Sequence, residues 1–326
     1  MIFSTVLPGL WGLTLPIPFP IGSVTCYLVE GDPVTLIDCG TQTDECYAAL
    51  RAALAEKGYQ IKDVKRLIIT HHHSDHLGLA ARIVRESGAK VWASHETVPW
   101  LEEPEQARQQ LQSFTEPLFR QGGVPADRLT TLELVSQFLA TLSGTAKVDQ
   151  TLAEGDRLDM LGCSWRVYHT PGHAGDLICF YQPETRVLLS SDHLLKDVSS
   201  NALIEAPAHP GDPRPRRLLD YLEQMHRMAK LDIAIAYPGH GKPFHDIPTL
   251  VESRVAFSAR RADKLFNLFD GQPRTLFELA RLMFPQVPDT ELFLALSETL
   301  GHLDLLERDG RVIQRMGDEL SYWHPA

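Results

Sequence analysis

The sequence has few cysteines, few basic residues and no long apolar run, and each shortage argues against a class of protein. Its five cysteines are scattered, odd in number and never form a CxxC pair. A disulfide framework is therefore not expected, and the cysteines are predicted to be small core residues in a reducing compartment.

Basic residues are outnumbered by acidic ones, 31 against 42, and the formal net charge is −11. This balance disfavours a surface built to hold nucleic acid and favours a small-molecule substrate. No stretch approaches the roughly 20 apolar residues of a membrane span. The apolar N-terminus lacks a basic start and is interrupted by prolines at 8, 16, 18 and 20, unlike a signal peptide. We expect a cytoplasmic protein without a membrane anchor.

The length of 326 residues and the pattern of apolar segments predict a large α/β domain followed by a small one. A Gly31-Asp32-Pro33 turn between the first two predicted strands indicates an antiparallel start. A Gln-rich segment, about 99–143, reads as a helical insertion over the site. The predicted strands cover 24–30, 34–38, 64–69, 90–94, 157–168, 177–181, 187–190 and 233–237, and the predicted domains are 1–249 and 250–326.

The last segment follows a different pattern. Helices are predicted over 275–284 and 289–307, and the Asp309-Gly310 turn then leads into two short strands. This order resembles a winged helix. Residues 251–326 nevertheless carry nine basic and twelve acidic side chains, whereas phosphate contacts require cations. A structural or dimerising module that borders the active site is the preferred interpretation, so a homodimer is possible.

The string HHHSDH at residues 71–76 is the densest group of metal-ligand side chains in the chain. It follows an apolar, β-branched segment and precedes a helical pattern, which is unlike a solvated histidine tag. Loops at strand ends are where α/β folds place their chemistry. The string therefore predicts a transition-metal site.

Further ligand-type side chains follow other apolar segments. Asp38 precedes Cys39-Gly40, His173 lies in a TPGHAG run, Asp192 follows the strand ending at 190, and His240 lies in YPGHG. Taken singly, either aspartate is more often a turn or capping residue than a functional one. Their recurrence at strand ends predicts a shared site.

Taken in order, these motifs resemble the five motifs of the metallo-β-lactamase superfamily, over about residues 19–242. The resemblance implies an αββα sandwich with two metal ions. It implies that His71, His73 and His173 hold one ion, that Asp75, His76 and His240 hold the other, that Asp192 bridges them, and that Asp38 orients a ligating histidine.

The imidazole and carboxylate ligands suit zinc, and also iron or manganese. With two divalent ions we expect a metal-bridging hydroxide that attacks a carbonyl or phosphoryl centre, with Asp75 orienting it or accepting the proton. The expected activity is hydrolysis of an ester, thioester, lactone or phosphodiester. His72, His169 and His193 are expected to be packing or supporting residues.

Two rival functions remain open. One is a persulfide dioxygenase-like oxidoreductase with a single iron on His71, His173 and Asp192, as in a branch with similar motifs. The other is an endoribonuclease, since one branch of the superfamily has a similar winged-helix tail. One departure from the common pattern is Ala174-Gly175-Asp176, where many relatives have a hydroxyl residue and then a glycine one place later.

Overall fold

The computed structural model describes residues 3–209 and 211–326. Residues 1, 2 and 210, which the predicted domain 1–249 includes, lie outside the described residues. The first sheet has seven strands in sequential order, antiparallel from β1 to β4 and parallel from β4 to β7. Its strands are β1 Phe3–Leu7, β2 Leu10–Pro16, β3 Ser23–Val29, β4 Thr35–Ile37, β5 Arg66–Ile69, β6 Lys90–Ser94 and β7 Val148–Leu152.

The second sheet has five strands in the order β12-β11-β10-β9-β8. All of its pairs are antiparallel except β11 with β12. Its strands are β8 Arg157–Met160, β9 Cys163–His169, β10 Ile178–Gln182, β11 Val187–Ser191 and β12 Ile235–Pro238.

Apolar side chains of the two sheets meet in one buried layer, which includes Ile68 of β5 and Phe180 of β10. Helices cover the outer faces. The first sheet packs against α1 Asp44–Glu56, α2 Ser74–Leu77 and α3 Ala80–Ser87, and the second against α7 Arg217–Met228 and α8 Ile247–Asn267. The predicted αββα sandwich is confirmed.

The segment predicted as a helical insertion is helical, with α4 Val98–Glu102, α5 Pro104–Gln121 and α6 Ala126–Thr141. The two ends of α6 contact different parts of the molecule. Arg128 at the start of α6 lies 3.0 Å from Asp289 of the C-terminal segment. Beyond the end of α6, the Leu142 carbonyl accepts a 2.9 Å hydrogen bond from the Gln42 amide, in the loop after β4.

The C-terminal segment contains the predicted sequence of two helices and a ribbon: α9 Leu276–Met283, α10 Leu292–Arg308, β13 Val312–Met316 and β14 Ser321–Pro325. Its likeness to a winged helix stays a prediction, as does the domain boundary at 249/250, which falls within α8. Within the described part of the chain, no helix combines the length and apolar character needed to cross a bilayer.

Three strands were not predicted from the sequence. β1 and β2 form a hairpin about Pro8-Gly9, where Gly9 has a φ of 82°. The prolines at this end lie outside strand interiors, since Pro16 is the last residue of β2. β7, VDQTL, is a sheet edge with mostly exposed side chains. Without a buried face, its sequence has no clear strand pattern.

Candidate metal centre

The ligand-type residues meet where five strands end. Asp38 follows β4 and the HHHSDH string follows β5, both in the first sheet. His173, Asp192 and His240 follow β9, β11 and β12 of the second sheet. The site therefore lies at one edge of the sandwich, with side chains from both sheets.

The first group contains His71, His73 and His173, whose ligand atoms lie close enough to hold one metal ion. His73 Nδ1 lies 3.1 Å from His71 Nε2 and 2.9 Å from His173 Nε2. Three imidazole nitrogens thus converge, and His71 is fully buried.

The second group contains Asp75, His76 and His240. Asp75 Oδ2 lies 3.2 Å from His240 Nε2 and 3.9 Å from His76 Nε2. Both histidines are buried, and so is Asp75.

Asp192 lies between the two groups. Its Oδ2 is 3.5 Å from His173 Nε2 and 3.3 Å from His240 Nε2, and its Oδ1 is 3.5 Å from His76 Nε2. One carboxylate thus contacts a histidine of the first group and two of the second, which is the position expected of a bridging ligand.

Hydrogen bonds at the outer ring nitrogens determine which nitrogen faces the centre. His173 Nδ1 lies 2.8 Å from the Asn201 carbonyl, and His240 Nδ1 lies 2.6 Å from the Ser23 carbonyl. A carbonyl only accepts, so each Nδ1 carries a proton, and Nε2 is the nitrogen that faces the centre. Asp38 Oδ2, 2.8 Å from His76 Nδ1, imposes the same tautomer on His76.

Asp38 organises a second set of hydrogen bonds behind the site. Its carboxylate accepts from the Thr70 amide and the Thr70 hydroxyl, both at 2.8 Å. The Thr70 hydroxyl in turn lies 3.1 Å from His71 Nδ1 and 2.8 Å from the Ser191 hydroxyl. Asp38 and Ser191 both have left-handed backbone conformations, with φ of 59° and 45°. Such strained residues persist where the surrounding contacts fix them.

The electrostatics of the two groups differ. Burial lowers the pKa of His71, His73 and His173, so these rings stay neutral. Burial also opposes the charged form of His240, yet the carboxylates of Asp192 and Asp75 raise its pKa to about 10. Burial would raise the pKa of Asp75, but His76 and His240 lower it to about 2. The carboxylate side of the site thus favours a bound positive charge.

The residues present fit bound metal. Two buried atoms, His76 Nε2 and Asp192 Oδ1, have no hydrogen-bond partner among residues 3–209 and 211–326. Neutral imidazoles aimed at one point, next to carboxylates that favour positive charge, form the nitrogen and oxygen donor set that zinc, iron and manganese accept. No cysteine belongs to either group.

The other histidines near the site point elsewhere, as expected. His72 Nδ1 lies 2.9 Å from Asp176 Oδ1, and its ring stacks on Trp100 at 4.3 Å. His169 Nε2 bonds the Gly175 carbonyl at 2.7 Å. His193 is buried with its ring edge-on to Tyr221. Asp176, the departure from the common pattern, therefore anchors His72.

Apart from Asp38, sequence reasoning missed the residues that support the ligands. Thr70 directly precedes the histidine string, and Ser23 and Asn201 contribute only backbone carbonyls. Carbonyl groups occur at every residue, so the side-chain sequence carries no signal for these two contacts.

Comparison with known proteins agrees with the geometry. Residues 20–240 match the metallo-beta-lactamase superfamily. The chain is 34% identical over 311 residues to the "Probable metallo-hydrolase YqjP" of Bacillus subtilis, covering 95% of this chain and 94% of that protein. The crystal structure of the metallo-beta-lactamase family protein TTHA1429 from Thermus thermophilus superposes with a TM-score of 0.84 at 32% identity, covering 99% and 100% of the two chains.

A beta-lactamase domain protein from Burkholderia ambifaria has the same fold, with a TM-score of 0.84 at 23% identity and coverage of 99% of this chain and 94% of that one. Its lower identity supports the fold alone. The superfamily match over most of the sandwich and the near full-length relative establish the assignment. The chain belongs to the metallo-beta-lactamase superfamily.

Proposed function

We propose that the chain is a metal-dependent hydrolase that holds two divalent ions, zinc in the first instance, and cleaves an ester, thioester, lactone or phosphodiester. The observation that carries the proposal is the paired arrangement of ligand groups. His71, His73 and His173 form one group, Asp75, His76 and His240 form the other, and Asp192 contacts both. The relative named as a metallo-hydrolase supports the same class of reaction.

Two divalent ions held there would lower the pKa of water toward about 7 and polarise the oxygen of the scissile group. The protein groups have separate tasks. Asp38 and the Asn201 and Ser23 carbonyls hold three histidines in the tautomer that directs Nε2 inward. Asp75 is the proposed proton acceptor, because its carboxylate lies within the second group, 3.2 Å from His240 Nε2.

A single-iron oxidoreductase would need only His71, His173 and Asp192. The second group favours the two-ion hydrolase over this alternative, because Asp75, His76 and His240 are buried and their ligand atoms also lie within 4.8 Å of one another. His76 Nε2 is buried without a hydrogen-bond partner among the described residues, which is costly unless an ion binds there.

Metal analysis and a substrate panel test the proposal together. Protein purified without added metal is analysed for zinc, iron and manganese, and is then assayed on thioesters, esters, lactones and phosphodiesters. Two ions per chain with hydrolysis of one class is the expected result. One iron per chain with oxygen uptake on glutathione persulfide would refute it, and activity only on RNA would favour the endoribonuclease.

A further inference from the structure

Several of the exposed large hydrophobic side chains of the described residues lie on segments that contact the metal centre. Eight such side chains are more than a third exposed, and two of them, Leu282 and Met316, lie on α9 and β13. Single exposed hydrophobics are ordinary on a protein surface, but a group of them around one site is not. The other six are Ile21, Leu134, Phe138, Leu139, Val198 and Leu294.

Ile21 and Val198 lie on loops that reach His240. Ile21, 42% exposed, is two residues from Ser23, whose carbonyl bonds His240 Nδ1. Val198 is 41% exposed and directly follows Asp197. The Asp197 carboxylate lies beside Gly241, the residue after His240, at 3.2 Å from the position that a Cβ atom would take there. The two side chains therefore lie on loops at the His240 side of the site.

Leu294 is linked to His173 through Asn201. The Asn201 side-chain amide donates to the Leu294 carbonyl at 2.9 Å, while the Asn201 carbonyl bonds His173 Nδ1. Leu294 is 43% exposed at the start of α10. Val198 and Leu294 thus lie on segments joined by Asn201, next to the first ligand group.

Helix α6 connects the region before α10 with the loop that begins at Asp38. Near the start of α6, Arg128 pairs with Asp289, just before α10. Just beyond its end, the Leu142 carbonyl accepts a hydrogen bond from the Gln42 amide. None of its residues is buried, although it contains six large apolar side chains. Leu134 and Phe138, one helical turn apart, are 60% and 55% exposed.

We propose that Ile21, Val198, Leu294, Leu134 and Phe138, the apolar rim, bind an apolar acyl chain of the substrate. This inference rests on the proposed hydrolase function and assigns its substrate class, an acyl ester or thioester with a medium or long aliphatic chain. The rim residues lie on segments that contact the ligating histidines or connect the loops bearing them. A substrate whose acyl carbon is at the metal centre therefore extends its chain along these side chains.

Chain-length dependence tests the inference. The substrates are acetyl, butyryl, hexanoyl and octanoyl thioesters of N-acetylcysteamine with metal-loaded protein. Burial of each added methylene in the rim is expected to raise kcat/KM about twofold or more, on the order of 50-fold from acetyl to octanoyl. Calorimetric titration with octanoate and acetate gives the same comparison without hydrolysis, and octanoate is expected to bind tighter.

Val198→Ser, Leu294→Ser and the double variant Leu134→Ser/Phe138→Ser are expected to reduce the octanoyl-to-acetyl ratio several-fold and to retain the wild-type metal content. Met316→Ser is the matched control, because Met316 is 59% exposed on β13, outside the rim, and its ratio should equal that of the wild type.

The outcomes separate the two proposals. Hydrolysis at the same rate for every chain length, with octanoate binding no tighter than acetate, would overturn the proposal that the rim binds an acyl chain. The proposed hydrolase function would still stand. No hydrolysis at any length, with rim-dependent octanoate binding, would overturn the hydrolase alone. If the α6 double variant converts a dimer to a monomer without changing the ratio, α6 covers a second copy of the chain and not a substrate.

Discussion

His73 and His76 are three residues apart, yet their ring nitrogens belong to different ligand groups. His73→Ala is therefore expected to remove mainly the ion of the first group, and His76→Ala mainly that of the second. Each variant should retain about one ion per chain, measured by plasma emission spectrometry after dialysis. His169→Ala is the control and should retain both, since His169 belongs to none of the candidate ligand groups of the described residues and bonds the Gly175 carbonyl. Two ions in both ligand variants would refute the division.

The Asp38 carboxylate acts on the metal centre through His76 and Thr70. In Asp38→Asn, the side-chain amide nitrogen must face either the Thr70 N–H or His76 Nδ1–H, and in either position a donor would lie opposite another donor. His76 would then move its proton to Nε2, the atom required for metal. We expect the affinity for metal to fall about 10- to 100-fold.

Competition with a chelating dye measures that affinity. Asp44→Asn is the matched control, because Asp44 is exposed and pairs only with Arg82 among the contacts found in the described residues. Equal affinity in Asp38→Asn and wild type would show that Asp38 does not orient His76.

At the level of residues, the ligand side chains were predictable because histidine and aspartate recur after apolar segments in a known order. In the structure the ligand atoms of these residues lie close together, in overlapping groups that include His71, His73 and His173, then His71, His76 and Asp192, then Asp75, His76 and His240. That they bind ions stays a prediction. Thr70 was not predicted, since a threonine before a histidine has many ordinary roles.

Among the elements, α10 is joined to the segment before α7 by an ion pair whose carboxylate is buried. Arg214 Nη1 donates to Asp304 Oδ2 at 2.9 Å, and Asp304 is fully buried. Burial raises the pKa of Asp304 even though Arg214 is present. Arg214→Met leaves a buried carboxylate without its partner and is expected to cost roughly 3 kcal/mol of unfolding free energy.

Urea unfolding at pH 7 measures the loss. The double variant Arg214→Met/Asp304→Leu should recover most of it, because it removes the uncompensated charge as well. An unchanged midpoint in the single variant would contradict a stabilising role for this pair.

Helix α10 also contains a histidine that resists protonation. Burial lowers the pKa of His302 to about 4, while Nδ1 donates to the Glu298 carbonyl and the charge of Arg261 disfavours a second proton. The unfolded chain has the ordinary pKa near 6.5, so it binds the proton first as the pH falls. The contribution to stability is complete above about pH 6.5 and is lost progressively toward pH 4.

This difference corresponds to about 3 kcal/mol at most, at roughly 1.4 kcal/mol for each pH unit. His302→Gln is expected to unfold with a weaker pH dependence over this window, as measured by urea titrations at pH 7 and pH 5. His209→Gln, at an exposed position, is the control. Equal pH dependence in all three proteins would exclude His302 as the source.

Elements with a buried face were predicted well, and elements without one were not. β5 is buried along its whole length, and its apolar run identified it. β7 exposes most of its side chains, and its ladder with β6 is made by the backbone. Backbone pairing does not depend on side-chain type, so an edge strand of this kind is hard to predict from the sequence.

For the whole molecule, the metal centre connects the two sheets of the sandwich. Asp38 and the HHHSDH string come from the first sheet, while His173, Asp192 and His240 come from the second. Each ion would bind ligands from both sheets, which come together only in the folded chain. Bound ions should therefore stabilise the fold by mass action, by about 4 kcal/mol for an ion at 1,000 times its dissociation constant.

Removal of metal by a chelator is thus expected to lower the Tm of the whole chain by several degrees, and added zinc should restore it. His76→Ala, which keeps one ligand group complete, should show a smaller decrease than wild type under the same conditions. Differential scanning calorimetry with and without the chelator gives both values. An identical Tm with and without metal would mean that the ions do not hold the two sheets together, since ligands drawn from both sheets require binding and folding to be coupled.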